Sequence, residues 1–429
     1  MSNHAFGNGF TTETRSSRRS TEYERQDGTG STRRLRPCRS PGFTSVRLRA
    51  LRVSVVILCV IVLASAQALA ATIYMKDGRK IEGEIVDRTE TTIKVKLASG
   101  KFETVKRADV RTIDEPLPPP PKIESNETGD ATVDRRTKDY ERWLDMPLAT
   151  AITELTIVRG DHPVADLKRM AEAAEKTARH FLATFGCQPV DAVVGDRYGP
   201  GRIEIFQFWK EDGYLACCDK VLKRVRDETV DDARLAFMRR QRGFWIVSPR
   251  SMMSQYQGPS DLATSISGAC HKVSHVMLTT WKPSGTFTPW WFFEGFASWQ
   301  EFAILGETRT YCLDLARPAD YSRSATGDAD EEAKAKTQEG WRAKVKELCR
   351  SRNEKDLARL GKMSLNEIVL VDVQQSWSVV DWLHRTARLR DFAAALKETR
   401  DLDAACRSTL GLPSAAAHDA WRAWVARTY

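Results

Sequence analysis

The chain has 429 residues, with 66 lysines and arginines against 57 aspartates and glutamates, for a formal net charge of +9. Hydrophobic residues make up 41% and charged residues 29%, a composition that excludes a largely disordered or fibrous chain. Residues 1–70 hold 11 basic and 4 acidic residues, which leaves 55 and 53 in the remainder. A nucleic-acid-binding protein carries its positive charge on the folded part. We therefore expect no nucleic-acid partner.

The N-terminal segment has the pattern of an export signal. Residues 1–52 are basic, rich in Ser, Thr and Gly, and predicted to be disordered. Val53–Ala71 is a nearly unbroken apolar run that follows three arginines and ends in the small-residue site Ala68–Ala70, as in a signal peptide. The alternative is an uncleaved anchor, because about 20 apolar residues can span a bilayer. Both alternatives predict an exported protein, in the periplasm or cell envelope or secreted, with membrane contact through this segment only.

Cysteine usage is compatible with export but gives no framework. Seven of the nine cysteines follow Ala71, without a repeated C-x-x-C spacing. Neither a zinc ribbon nor a dense disulfide network is indicated. The sequence leaves room for one or two disulfides, whose pairing it does not predict.

Residues 72–114 predict a small β-barrel. Short alternating apolar stretches are separated by the turn signals Asp77-Gly78 and Ser99-Gly100. Five short strands in this length suggest an SH3-like or Sm-like barrel. Its 10 basic and 8 acidic residues nearly cancel, which favours binding a peptide or an envelope component over RNA. The plainer alternative is a docking module without chemistry.

A linker and one large domain follow. Residues 115–134 contain four consecutive prolines and are predicted to be extended. Residues 135–429 begin with mixed α/β signals and turn helical after Ser260, so the predicted class is α+β, an α/β half and then a helical half. The predicted elements are strands at Ala151–Val158, Arg202–Phe208 and Gly243–Val247, a helix over Pro163–Phe185, and late helices near Leu365–Val371, Ser376–Thr386, Arg390–Lys397 and Ala415–Arg427.

The segment from Ser260 to Phe302 predicts two helices that carry chemistry. Ser260 is a good N-cap for the first, which places His271 and His275, four residues apart, on one face. Thr288-Pro289 predicts an N-cap and first-turn proline for the second helix. This second helix carries Glu294, with 18 residues between it and His275.

These residues resemble the gluzincin metallopeptidases, particularly the aminopeptidase-N-like branch. The family pattern is H-E-x-x-H, eighteen residues, and then Glu in an E-G-F-A-x-[WY]-x-E helix. This chain has HKVSH and EGFASWQE at the same spacing. The resemblance implies a thermolysin-like fold for residues 135–429 and one zinc ion bound by His271, His275 and Glu294, with an open fourth position. It leaves Glu301 either as outer support for a ligand or on a solvated face, and the alternative for the histidines is two neutral core residues without a metal.

Two departures from the family speak against peptidase activity. Lys272 stands where the family has the general-base glutamate, and an ammonium cannot accept a proton from zinc-bound water. Val373 aligns with the tyrosine that stabilises the oxyanion in related exported peptidases, and losing such a donor typically costs ~10²–10³ in rate. In a site without metal, Lys272 could instead pair with Glu294.

Three hypotheses follow from this pattern. The first is an exported pseudopeptidase that has no catalytic residues left. Its cleft would act as a binding surface for a peptide or protein, or as a scaffold in the cell envelope, and the small N-terminal barrel would be a docking module. The second is an active zinc hydrolase with another base, such as Glu301. The third is a structural envelope protein with an empty metal site.

Overall fold

The computed structural model describes two compact units, and the first holds residues 71–114 while the second holds the described residues from Ser125 onward. The described ranges are 71–88, 91–114, 125–194, 201–226, 235–236, 238–239, 243–247, 250–256, 262–281, 288–310, 312, 334–365 and 367–429. The predicted leader, the apolar segment up to Ala70 and residues 115–124 of the linker lie outside them. Within the described ranges, no helix is long and apolar enough to cross a bilayer.

The first unit is a five-stranded antiparallel sheet in the order β4-β3-β2-β1-β5. Gly78 and Gly100 lie in its turns with φ of +90° and +78°, a conformation that glycine adopts without strain. Alternate residues of β1 and β3 point inward, so that Ile73 and Val95 are fully buried in its small core. The five strands agree with the prediction. Their bounds are β1 Ala71–Met75, β2 Lys80–Arg88, β3 Thr92–Leu97, β4 Phe102–Lys106 and, after a 3₁₀ turn at Arg107–Asp109, β5 Val110–Asp114.

The second unit begins with a mixed sheet in the order β6-β7-β8-β10-β9. The central pairs β7–β8 and β8–β10 are parallel, whereas β6 and β9 pair antiparallel at the two edges. The strands are β6 Ala149–Ile152, β7 Thr156–Gly160, β8 Ile203–Phe208, β9 Gly243–Ile246 and β10 Met252–Tyr256.

Helices pack against this sheet, and every described helix or strand from Leu262 onward is a helix. The first five are α1 Ala131–Leu144, α2 Val164–Phe185, α3 Pro189–Ala192, α4 Glu211–Ala216, which continues as a π-helix over Cys217–Leu222, and α5 Lys223–Arg226. The remaining helices are α6 Leu262–Thr280, α7 Trp290–Leu305, α8 Gln338–Ser351, α9 Leu357–Lys362, α10 Leu370–Arg385, α11 Leu389–Thr399, α12 Leu402–Leu410 and α13 Ser414–Thr428. The fold is therefore α+β, as predicted. All residues of α6 from Ser267 to Leu278 are buried, which is typical of a helix enclosed on every side.

Several element predictions were wrong in detail. The strand predicted at Ala151–Val158 is a hairpin of β6 and β7, because the Thr153 N–H donates to the Thr156 carbonyl at 2.9 Å and reverses the chain. Pro289, not Thr288, is the N-cap of α7. The helix predicted near Leu365–Val371 begins only at Leu370. The predicted N-cap Ser260 lies outside the described residues.

Candidate metal centre

Helix α6 carries the two histidines on one face, as their spacing predicts. His271 and His275 are fully buried, and their rings meet edge to face with centroids 4.6 Å apart. The ring of His275 also stacks on Trp245 of strand β9, with centroids 4.8 Å apart, and contacts Phe293 of α7 edge to face. The aromatic neighbours fix the orientation of this imidazole.

Helix α7 brings Glu294 to both histidines. Its carboxylate oxygens lie 3.3 Å from His271 Nε2 and 3.2 Å from His275 Nε2. The next residue, Gly295, lets α7 approach α10 closely, since a Cβ there would lie 2.6 Å from the Ser376 carbonyl carbon. This close approach of two helix backbones holds the carboxylate in place.

Glu301 contacts His271 at Nδ1, the ring nitrogen that does not face Glu294. Its Oε1 lies 2.7 Å from His271 Nδ1, and its Oε2 accepts hydrogen bonds from the Ser267 hydroxyl and, at 3.3 Å, from the Arg309 N–H. Glu301 is fully buried, so the alternative of a solvated face is wrong. A carboxylate bonded to the second nitrogen of a ligand histidine fixes its tautomer and raises its basicity.

Cys312 is the group member that the sequence interpretation missed. Its Sγ lies 3.6 Å from His275 Nε2, and its N–H donates to Glu294 Oε2 at 3.1 Å. The ligand atoms of His271, His275, Glu294 and Cys312 all lie within 4.8 Å of one another. The described cysteines, Cys312 included, are all free thiols, so the disulfides left open above do not occur among them.

A signal for Cys312 was present in the sequence. Gly306 ends α7 in the left-handed conformation, with φ of +77°, the usual chain reversal after a helix. From Glu294 to Leu305 the helix rises about 17 Å, and the segment from Gly306 to Cys312 can span about 20 Å when extended. The cysteine can therefore return along the helix to Glu294.

The charges of the group are strongly coupled. Burial lowers the pKa of His271, but Cys312 and Glu294 outweigh it and raise that pKa well above its usual value. Burial raises the pKa of Glu294, but the two histidines lower it further than burial raises it. Burial and Glu294 raise the pKa of the Cys312 thiol, whereas His271 and Lys272 lower it, and the net result is a pKa of about 6. These shifts favour the charged form of His271, which attracts both the Glu294 carboxylate and the Cys312 thiolate.

Lys272 is buried beside the group, but it does not pair with Glu294. A Cβ on Gly243 would lie 2.5 Å from Lys272 Cε and 2.9 Å from its Nζ. The side chain therefore lies along edge strand β9, in space that the glycine leaves free. No hydrogen bond or ion pair joins Lys272 to Glu294 in the described part of the chain, so the pairing that the sequence left open as an alternative does not occur there.

Val373 is fully buried on α10 within the main apolar core. Its aliphatic side chain has no polar atom and donates no hydrogen bond. Its assignment to the position of an oxyanion-stabilising tyrosine stays a prediction.

The donors fit a metal ion. His271 Nε2 and Glu294 Oε1 are buried, and their contacts of 3.3 Å and 3.2 Å within the group do not form hydrogen bonds, which is costly unless another partner is present. Two imidazoles, a carboxylate and a thiol are a group that can hold a metal ion. No protein-family model matches the chain, and no curated protein matches it significantly.

Proposed function

We propose that the chain is an exported, metallopeptidase-like protein that holds one zinc ion, does not hydrolyse peptides, and binds a peptide or protein segment in its cleft. The observation that carries this proposal is Lys272. It follows the first histidine directly and lies buried beside the ligand group, in the position where a hydrolase needs a carboxylate. Zinc is the proposed ion because imidazole, carboxylate and thiolate donors suit it.

The resemblance to gluzincins supports the same reading. The HKVSH and EGFASWQE segments lie on the two helices that meet at the site, and Glu294 reaches both histidines. When bound, zinc would supply a positive centre that orders these helices. Lys272 supplies no acceptor for a proton from a bound water, so hydrolysis lacks its base.

Peptide binding is supported by edge strand β9. It pairs with β10 on one side only among the described residues, and an extended peptide can add to such an edge. Gly243 and Trp245 are the alternate residues that face α6, where they contact Lys272 and His275. A peptide along β9 would therefore pass directly beside the metal centre.

One experiment separates the three hypotheses. Full-length protein loaded with zinc is titrated against a pool of fluorescein-labelled random peptides by fluorescence anisotropy, and incubated with quenched fluorogenic peptides. We expect binding without turnover, and weaker binding by about tenfold for Trp245→Ala, since a central tryptophan typically contributes more than 1 kcal/mol. Trp143→Ala, which removes a half-buried tryptophan of α1, serves as the matched control and should bind as the unmodified protein does.

Two results would contradict this proposal. Turnover that a chelator abolishes, zinc restores and His271→Ala eliminates would mean an active hydrolase with another base. If the protein shows no peptide binding and no turnover, the result would favour a structural envelope protein.

Export and envelope binding are proposed from Val53–Ala71 and the small N-terminal sheet. Mass spectrometry of the N-terminus of the protein recovered from cells tests the first point directly. We expect a mature chain that begins at Ala71, in agreement with cleavage after Ala68–Ala70. An intact leader in the membrane fraction would show an anchor instead.

A further inference from the structure

We propose that Cys312 is the fourth metal ligand, so that the chain itself fills the coordination position that a hydrolytic zinc site keeps open. This inference rests on the zinc site proposed above and adds the residue that closes it. The Cys312 Sγ lies 3.6 Å from His275 Nε2 and within 4.8 Å of the ligand atoms of His271 and Glu294. A set of four protein ligands is the mark of structural zinc, whereas catalytic zinc has three and a water.

Two buried atoms point independently to an ion in this group. His271 Nε2 lies 3.3 Å from Glu294 Oε2, and Glu294 Oε1 lies 3.2 Å from His275 Nε2, but neither His271 Nε2 nor Glu294 Oε1 makes a hydrogen bond, although both side chains are fully buried. Leaving one buried polar atom without a hydrogen bond costs about 1–3 kcal/mol. A metal bound between the histidines, the carboxylate and the thiolate would satisfy both atoms.

The position of Cys312 beside the ligand group is set by backbone hydrogen bonds as well as by the rotamer of its side chain. After α7 ends at Gly306, the Arg309 N–H donates to the Ser267 hydroxyl at 3.0 Å and to Glu301 Oε2 at 3.3 Å. Three residues further on, the Cys312 N–H donates to Glu294 Oε2 at 3.1 Å. The returning segment is therefore fastened to two carboxylates of α7, and the second attachment sets the thiol against the ligand group.

The consequence is a centre that has neither an open position for water nor a base to deprotonate it. Its ion would join α6, α7 and the returning segment, and would stabilise the cleft without entering a reaction. This assigns the metal an architectural role and deepens the proposal that the protein binds without hydrolysing.

X-ray absorption at the zinc edge tests the assignment on the full-length protein. We expect one sulfur scatterer at about 2.3 Å together with nitrogen and oxygen scatterers at about 2.0–2.2 Å. The sulfur should disappear in Cys312→Ser and persist in Cys349→Ser, the matched control, whose free thiol lies half-buried on α8. The assignment of Cys312 as a ligand would be overturned, and the zinc site itself would stand, if the unmodified protein binds zinc without a sulfur scatterer or if the sulfur scatterer persists in Cys312→Ser. Absence of zinc from the unmodified protein would contradict the zinc site itself.

Cobalt substitution gives a second readout, and its first measurement needs only the unmodified protein. In the unmodified protein we expect a thiolate-to-cobalt charge-transfer band and no change in the visible spectrum on addition of azide. In Cys312→Ala the band should vanish and azide should alter the spectrum, because the position is then open. A spectrum that responds to azide in the unmodified protein would overturn the proposal.

Discussion

Replacing Glu301 by glutamine perturbs the metal centre without touching a proposed ligand. The carboxylate serves two sets of donors: its Oε1 lies 2.7 Å from His271 Nδ1, and its Oε2 accepts from the Ser267 hydroxyl and the Arg309 N–H. Glutamine has the same shape but only one acceptor oxygen, so it cannot serve both sets. The histidine then loses its anchor and its negatively charged partner.

The expected size of the effect follows from this geometry. Loss of the outer partner of a ligand histidine typically costs 10–100-fold in metal affinity, which corresponds to about 1.4–2.7 kcal/mol. The upper end is expected here, because Glu301 is fully buried. Ser267→Ala, which removes one donor to Glu301 and keeps the charge, should weaken zinc binding by less.

Competition with a chromophoric chelator measures the zinc affinity of each full-length variant. Glu175→Gln is the matched control, since Glu175 is a half-buried carboxylate that accepts hydrogen bonds from Thr153 and Leu155. The control should bind zinc as tightly as the unmodified protein. An affinity within twofold of the unmodified value for a folded Glu301→Gln variant would refute the supporting role.

Three further predictions concern stability and are measured by chemical unfolding. Glu204 is buried together with Arg159. Burial raises the pKa of Glu204, but three nearby arginines lower it by more. Glu204→Gln should therefore lower the free energy of unfolding by about 3–5 kcal/mol at pH 7. Glu204 should stabilise the folded protein fully above its unfolded pKa of about 4.3, and this stabilisation should be lost as the pH falls through its lower folded pKa. If the variant loses stability in acid as steeply as the unmodified protein, this assignment to Glu204 is contradicted. Lys397 donates hydrogen bonds to three carbonyls at the end of α6 and just beyond it. Lys397→Met should lower the free energy of unfolding by about 1–3 kcal/mol, and an unchanged denaturant midpoint would disprove this. Gly295→Ala should force α7 away from Ser376 at about 1–3 kcal/mol, and an unchanged free energy of unfolding would show that the helices yield freely.

The helical part of the site could be predicted because it depends on local periodicity. Residues four apart on a helix share a face, so His271 and His275 had to lie together once α6 was recognised. The approach of Glu294 to both histidines came from the family spacing rather than from periodicity. Glu301 was left open because a sequence does not show which side of a helix is enclosed.

The rest depends on contacts between distant residues or on single turns. Cys312 reaches the site because the chain reverses at Gly306 and is fastened by backbone donors, and no periodic pattern marks such a segment. The division of Ala151–Val158 into two strands follows from one hydrogen-bonded turn at Thr153. The position of Lys272 along β9 depends on the packing of α6 against a strand that lies well before it in the sequence.

The central claim is that this chain holds one metal ion at His271, His275 and Glu294. Elemental mass spectrometry of the purified full-length protein tests it most directly, with His275→Ala as the paired variant. We predict about one zinc per chain in the unmodified protein and essentially none in the variant. No metal in either protein, or equal zinc in both, would contradict the claim.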